Sequence, residues 1–188
     1  MDAVVIHENL KARFGDKIGS LTVDNPDPFI VVDRSALKEI GTFLKDEPGY
    51  EFDFLENLTG LDLGDKFVSV YHLLSYKHRH SLVLRVELSK DQPTAPSVSE
   101  VWPAANWHER EQYDLLGITY TGHPDLRRIM LPEDWVGHPL RKDYEQPKGY
   151  HGISHERANV LDGFKALDDR DHPLPVVAPS KPEADGEQ

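Results

Sequence analysis

Residues 67–74 read FVSVYHLL and residues 82–88 read LVLRVEL, and these two runs decide the fold class of the chain. In the second run every other residue is leucine or valine, with Arg85 and Glu87 between them. This alternation is typical of a strand with one buried face and one face in water. Because residues 75–81 are polar and basic, the two runs predict a β-hairpin.

Further helices and strands are predicted upstream of this hairpin. Residues 3–14 have the apolar spacing of a short helix that ends before a glycine. Residues 18–23 and 29–32 are β-rich runs bounded by Asn-Pro and Asp-Pro turns. Residues 35–45 carry apolar side chains at helical spacing, and Ser35 is a suitable N-cap.

A helix with well-marked ends is predicted after the hairpin, at residues 107–116. Asn106 is expected to cap its start, and Glu109 to reach back to the Asn106 backbone as in a capping box. Gly117 stands where a helix end favours a left-handed residue. The chain from 118 to 144 is then rich in proline, glycine and charge. Its charged residues are Asp125, Glu133, Asp134, Asp143, Arg127, Arg128, Arg141 and Lys142.

These elements indicate an α+β fold, with a small mixed sheet and flanking helices, followed by an extended C-terminal arm rich in proline and charge. Residues 1–117 are expected to form the core domain, which includes the capped helix. Residues 118–147 are expected to be an extended charged docking segment, called the charged segment below. Residues 148–188 form an acidic, proline-rich tail with little apolar surface, which we expect to be extended or ordered by partners.

Composition narrows the possible functions. The 188 residues include no cysteine, which excludes thiol nucleophiles, disulfides and thiolate ligands for iron–sulfur clusters. The net charge of −12 argues against a nucleic-acid partner. No run approaches the roughly 18 consecutive apolar residues of a membrane helix. The N-terminus contains Asp2 and Glu8 and does not resemble a signal peptide. We therefore expect the chain to associate with a membrane only through a partner.

Linked blocks around the capped helix form a specific signature. They read ERExxDLLGI at 109–118, GHPDLRRI at 122–129, LPEDW at 131–135 and PLRKDY at 139–144. Upstream pieces at 52–55, 58–62, 70–73 and 104–107 fit the same set. Together, and with their spacing, these blocks closely resemble the 30-kDa-type subunit of the respiratory NADH:quinone oxidoreductase, complex I. The resemblance covers most of residues 3–147 and leaves out the tail.

The resemblance implies a cofactor-free structural subunit without a catalytic site of its own. Members of that family lie in the hydrophilic peripheral arm, against the large quinone-site subunit and neighbouring iron–sulfur subunits. FMN, the iron–sulfur clusters and the quinone belong to those partner subunits, where NADH oxidation and quinone reduction occur. The proton-translocating complex lies at the cytoplasmic face of the inner (plasma) membrane. Similar sequences occur in ferredoxin:plastoquinone oxidoreductase and energy-converting hydrogenases, which leaves the electron donor open.

The signature also suits an ion-pair network partly shielded from water, since arginine binds carboxylates through two parallel hydrogen bonds. We expect Glu109, Arg110 and Glu111 to pair with Arg127, Arg128 or a partner's charges. The residues expected at the interface are Glu109, Arg110, Glu111, Asp114, His123, Asp125, Arg127, Arg128, Trp135, Arg141, Lys142 and Asp143.

A free-standing metal-dependent hydrolase is the alternative of a different class, built on Glu109, Glu111 and His123. The two glutamates are two residues apart and therefore do not face each other on a helix, which favours a structural role. A zinc-protease motif beginning at His108 is excluded because position 112 is glutamine.

Histidines and tryptophans have alternative interpretations. The histidines at residues 72–80 would need further ligands and a second shell to bind a metal, which favours a solvated turn. Because histidine is the side chain suited to changing its charge near physiological pH, His123 and His138 are candidates for proton-coupled roles, although a structural role is favoured. The tryptophans suit either the core or an interface; they are Trp102, Trp107 and Trp135.

Overall fold

The computed structural model describes residues 2–24 and 26–155, and its centre is a five-stranded mixed sheet. The strands are β1 (Ile18–Thr22), β2 (Phe29–Val32), β3 (Phe54–Asp62), β4 (Lys66–Ser75) and β5 (His80–Ser89). Their order is β1-β2-β5-β4-β3, and all neighbours are antiparallel except the parallel pair β2 and β5. The predicted hairpin is therefore confirmed as β4–β5, with Ser75 opposite His80 at its tip.

Among the residues described, three α-helices flank this sheet: α1 (Ala3–Phe14), α2 (Leu37–Asp46) and α3 (Ala105–Leu116). Short strands β6 (Thr94–Pro96) and β7 (Thr119–Thr121) pair in parallel on either side of α3 in the sequence. Apolar residues of the helices and of the sheet join in one buried cluster, which includes Ile6, Ile40, Tyr71, Leu84 and Leu116. The predicted α+β class with a small mixed sheet is confirmed.

The chain divides into two compact units between Gln146 and Pro147. Within the second unit, the described residues form a small hairpin of β8 (Gly149–Tyr150) and β9 (Ile153–Ser154). Most of the predicted tail, from residue 156 onward, lies outside the described residues. The expected division at 117 and 147 stays a prediction.

Both predicted helix caps are wrong. Ahead of α2 the chain forms a 3₁₀ turn, Arg34–Ala36, and the cap is Asp33, whose Oδ1 accepts from the Ser35 amide at 2.7 Å. The acid takes this place because it reaches the amide two residues on. Helix α3 begins at Ala105, so Asn106 lies inside it, and the N-cap Ala104 makes no side-chain bond. No capping box forms, because the Glu109 side chain is buried against residues 97–98.

The outer face of β5 is less exposed to water than its alternation predicts. Val83 packs with Val68 and Val70 in a second buried cluster, and Phe29 packs against them. The Arg85 guanidinium lies 3.5 Å from the centroid of the Phe29 ring. Apolar neighbours on three adjacent strands therefore shield the middle of this face.

The tryptophans divide between core and surface. Trp102 is buried, and its Nε1–H donates to the Phe52 carbonyl at 2.8 Å. Trp107 is 63% exposed, whereas Trp135 is partly buried. Within residues 2–24 and 26–155, no helix has the length and apolar character needed to cross a membrane.

Candidate docking site

The site is built on α3, which lies directly on strand β3. Gly60 of β3 permits this approach, because an added Cβ would lie 2.9 Å from Gln112 Oε1 and closer still to Leu116. Beneath the helix, Gln112 Oε1 accepts hydrogen bonds from Tyr120 and Ser69, at 2.7 and 3.0 Å. This buried polar network joins α3, β4 and β7, and fixes the helix in one position.

Asp114 anchors the charged segment to α3. Its carboxylate is fully buried, and Oδ2 accepts from the successive amides of Ile129, Met130 and Leu131 at 3.0, 2.7 and 2.9 Å. Oδ1 accepts from the Arg128 guanidinium at 3.1 Å. Three converging amides and one guanidinium compensate the buried charge, and the backbone of the segment is held in a single turn around it.

The charged segment also satisfies the carboxyl end of α3, where helical carbonyls lack partners within the helix. A guanidinium at this end is favourable because the helix dipole is negative there. The donors are His138 Nδ1–H to the Asp114 carbonyl at 2.8 Å, the Leu140 amide to Leu115 at 3.0 Å, and Arg141 Nε–H to Leu116 at 2.6 Å. Burial is the main factor that lowers the pKa of His138, so its neutral form is favoured.

Gly117 is required at this helix end for two reasons. Its φ of +74° is left-handed, as predicted from the sequence. An added Cβ would also lie 2.6 Å from His138 Nε2 and nearer still to Arg141. The close approach of the charged segment therefore depends on this glycine.

Glu109 does not pair with an arginine, so that part of the sequence hypothesis is wrong within this chain. Its carboxylate accepts from Ser97 Oγ at 2.6 Å and from the Val98 amide at 2.8 Å. Both the Glu109 and His123 side chains are fully buried, and Nε2 of His123 lies 3.9 Å from the carboxylate. Burial raises the pKa of Glu109 to about 7, and the two hydrogen bonds oppose that rise only in part.

A second anchor lies at the end of β3, where Asp62 binds the other end of the charged segment. Asp62 Oδ2 accepts from the Lys142 amide at 2.9 Å and lies 3.3 Å from Lys90 Nζ. Desolvation raises the pKa of Asp62, but donation from the Lys142 and Gly64 amides and from Lys90 outweighs it and lowers the pKa. Sequence reasoning missed Asp62 and Lys90 as site residues, although Asp62 closes one of the signature's upstream blocks.

The remaining predicted residues have varied positions. Arg110 is buried, with Nε–H donating to the Arg127 carbonyl at 3.2 Å and its guanidinium 5.0 Å from the Trp107 ring. Arg127 pairs with Asp125 at 2.9 Å on the surface, and Asp143 lies 3.8 Å from Lys90. Trp135 Nε1–H donates to the Tyr144 hydroxyl at 3.1 Å. Among the residues that the structure describes, Glu111 makes no ion pair.

Apolar side chains project outward from the same region. Met130, Val136 and Leu140 are 62%, 79% and 58% exposed, all on the charged segment. The Met130 and Leu140 amides are themselves bound to α3, and Val136 lies two residues before His138, whose side chain is bound there as well. This arrangement presents apolar groups from a fixed backbone, which suits a protein interface better than a catalytic cleft.

The histidines near the β4–β5 turn bind protein groups. His78 Nε2 lies 2.6 Å from Glu51, and His80 Nε2–H donates to the Tyr50 carbonyl at 3.0 Å. Over the described part of the chain, no three histidine or acidic side chains lie together in a way that could hold a metal ion.

Comparison with known proteins assigns the family. The model of the family described as "Respiratory-chain NADH dehydrogenase, 30 Kd subunit" matches residues 30–150, more than half of the chain. This chain belongs to that family of complex I subunits. A Roseiflexus castenholzii relative, named as the C subunit of NADH-quinone oxidoreductase, is 44% identical over 146 residues, which are 76% of this chain and 84% of the relative. A Chloroherpeton thalassium relative with the same name is 42% identical over 147 residues, 77% of this chain but 61% of the relative.

Two solved structures share the fold. "Nqo5 of the trypsin-resistant fragment (1-134)" superposes with a TM-score of 0.56 and 29% identity, covering 67% of this chain and all of that fragment. A chain of the membrane-bound sulfane sulfur reductase, described as an archaeal respiratory membrane complex, has a TM-score of 0.63 and covers 90% of this chain and 95% of that one. Because its identity is 19%, it supports the fold alone.

Proposed function

We propose that this chain is a structural subunit of the peripheral arm of a proton-translocating NADH:quinone oxidoreductase, where the charged segment docks on the large quinone-site subunit. The observation that carries the proposal is the anchoring of that segment at Asp114 and at the carbonyl end of α3. A segment held this way keeps a fixed shape before it meets a partner, which reduces the entropy lost on association.

The surface of the segment supports the same function. Val136 and Leu140 on the segment and Trp107 on α3 are exposed apolar groups, and the same two parts of the chain carry the exposed charge of Arg127 and the partly exposed charge of Glu111. Apolar anchors with charges at the rim are typical of specific protein interfaces. Several predicted interface residues, among them Asp114 and Arg141, would act by shaping this surface rather than by touching the partner.

The electron-transfer chemistry is assigned to partner subunits. This chain has no cysteine, so thiolate-bound iron–sulfur clusters would belong to neighbouring iron–sulfur subunits. FMN and the quinone would likewise be bound by partner subunits. We propose a peripheral position at the cytoplasmic face of the inner (plasma) membrane, reached through the complex. The contribution of this chain to NADH:quinone oxidoreduction would be to hold its partners at constant distances.

An affinity purification tests this proposal. The tagged chain is purified from gently solubilised membranes, and the eluate is analysed by mass spectrometry, flavin fluorescence and an NADH:quinone assay. We expect a large complex with the quinone-site subunit, iron–sulfur subunits, flavin and NADH oxidation. A large complex without flavin or NADH activity would assign the chain to a ferredoxin- or hydrogen-linked relative. Recovery of the chain alone, with stoichiometric bound metal, would favour the hydrolase instead.

A further inference from the structure

We propose that the buried cluster of Ser97, Glu109 and His123 is a proton-sensitive joint: Glu109 exchanges a proton within the folded protein, and this exchange sets how firmly the start of the charged segment is held on α3. The joint brings together three parts of the chain. Glu109 lies on α3, Ser97 follows β6, and His123 follows β7 at the beginning of the charged segment.

The hydrogen bonds of His123 fix its charge. The Asp125 amide can only donate, and it donates to Nδ1 at 3.0 Å. Nδ1 therefore carries no proton, and Nε2–H donates to the Asn106 carbonyl at 3.1 Å. The imidazole is neutral in this arrangement, so the nearest histidine gives Glu109 no compensating positive charge.

Glu109 finds hydrogen-bond partners in either protonation state. As a carboxylate it accepts from the Ser97 hydroxyl and the Val98 amide. As a carboxylic acid it can donate to Ser97 Oγ, if the Ser97 hydroxyl turns to Ser99 Oγ at 2.8 Å. Rotation of one hydroxyl therefore accommodates the proton, and no buried polar group loses its partner.

The other groups around Glu109 do not stabilise its negative charge. Tyr71 of β4 and Tyr120 of β7 act on it electrostatically, and burial raises the pKa of both hydroxyls, so they stay neutral. Arg110, the neighbour on α3, is directed to the Arg127 carbonyl. A buried carboxylate without a cation is costly, and it relieves that cost by taking up a proton.

The direction of the effect follows from the raised pKa of Glu109, about 7 against 4.5 for an ordinary glutamate. Such a group contributes to the stability of the folded state. This stability is fully present below pH 4.5 and is lost as the pH rises through about 7. The joint is therefore firmest when Glu109 is protonated, and it loosens across neutral pH. The proton exchange concerns the chain alone; only its consequence, a pH-dependent docking surface, rests on the proposed function.

Nuclear magnetic resonance on the full isolated chain tests the joint. With ¹³C-labelled glutamate, the Glu109 Cδ signal, assigned by its loss in Glu109→Gln, should titrate about two pH units above exposed glutamates. The Val98 and Asp125 amides should shift with the same midpoint. Protection of the Asp125 amide from hydrogen exchange, corrected for intrinsic rate, should fall several-fold as Glu109 ionises.

Matched variants complete the test. In Glu109→Gln the pH dependence of the Val98 and Asp125 amides should disappear, whereas Glu100→Gln, which alters an exposed pair with Lys38, should leave it intact. A Glu109 midpoint equal to that of exposed glutamates would overturn the proposal. So would a Glu109 titration that moves Val98 but leaves Asp125 unchanged. If Glu109→Gln does not fold, the wild-type midpoints of the Val98 and Asp125 amides, compared with the midpoints of exposed glutamates, still decide between these results.

Discussion

The Asp114 carboxylate receives four hydrogen bonds from four consecutive residues, Arg128 to Leu131. Three of the donors are backbone amides that meet at one oxygen, so a side chain must supply a strong acceptor at that point. An asparagine there would carry no negative charge. In one of its two orientations it would also turn its own N–H groups toward these donors. The geometry therefore requires the acid itself.

Asp114→Asn should lower the free energy of unfolding by about 2–4 kcal/mol, because buried donors to a charged group lose their full partner. Urea denaturation of the isolated chain measures this change. Asp125→Asn is the matched control, since Asp125 is on the same segment but forms an exposed pair with Arg127. Exposed pairs contribute little, so the control should change stability much less. Equal effects from the two variants would refute the anchoring role of Asp114.

His138 gives a pH-dependent prediction at the same scale. Burial is the largest factor lowering its folded-state pKa below 6.5, so the folded protein resists protonation of this residue. Its stabilising contribution is present above pH 6.5 and is lost as the pH falls toward the folded-state pKa. His138→Asn keeps a donor for the Asp114 carbonyl but does not titrate. The stability of the wild type relative to this variant should therefore decrease between pH 7 and pH 5, by urea denaturation; an unchanged difference would contradict the assignment.

At the scale of elements, periodicity predicted α1, α2, α3 and the β4–β5 hairpin within a few residues, because each has a regular apolar face. Strand β3 was not predicted. It reads FLENLTGLD, in which asparagine, glycine and aspartate weaken the strand signal, and a register shift between Leu55 and Asn57 breaks its alternation. Pairing with the long strand β4 stabilises it, and such tertiary support is not visible in local sequence.

The predicted helix caps were wrong for a related reason. Asn106 and Glu109 have capping-box spacing, but Glu109 instead binds Ser97 and Val98, which precede it by eleven or twelve residues. The end of α3 was predicted correctly because Gly117 acts through its own backbone conformation. Local rules therefore located the end of α3, whereas the partners of its buried acids depend on contacts distant in sequence.

Gly117→Ala and Gly122→Ala form a matched pair that tests how the charged segment closes the end of α3. Both glycines have left-handed φ, but only Gly117 would place a Cβ against His138 and Arg141. Gly122→Ala should cost about 1–2 kcal/mol from backbone strain alone. Gly117→Ala should cost about 1–3 kcal/mol more, because the segment must shift. Thermal unfolding of the two variants measures the difference, and similar melting temperatures would indicate that the segment does not press on this helix end.

At the scale of the whole molecule, the signature has two roles that the sequence did not separate. Asp114, Arg128 and Arg141 bind the charged segment to its own domain, whereas Val136 and Leu140 project outward. The sequence correctly placed charge and proline in one segment. It could not tell internal pairs from external ones, since that depends on which residues the fold brings to α3.

The order of the tail after about residue 150 remains a prediction from composition: we expect it to become ordered only on a partner. Trypsin should remove most of the tail from the isolated chain and leave a fragment that ends near Lys148 or Arg157. In the purified complex the same sites should resist cleavage. Mass spectrometry of both digests measures this, and protection of the tail in the isolated chain would contradict the prediction.

The docking surface itself is tested by acidic substitutions that leave the fold intact. Val136→Glu with Leu140→Glu should change the stability of the isolated chain by less than about 0.5 kcal/mol per site, because both side chains are already exposed. Recovery of partner subunits should fall sharply, since a charge buried at an apolar contact without a partner is costly and anchor residues contribute about 2 kcal/mol or more. Val5→Glu on α1 is the control, an exposed valine outside the charged segment. If all three glutamates left recovery unchanged, the apolar side chains would not contact the partner, and the interface would have to be sought on another face of the domain.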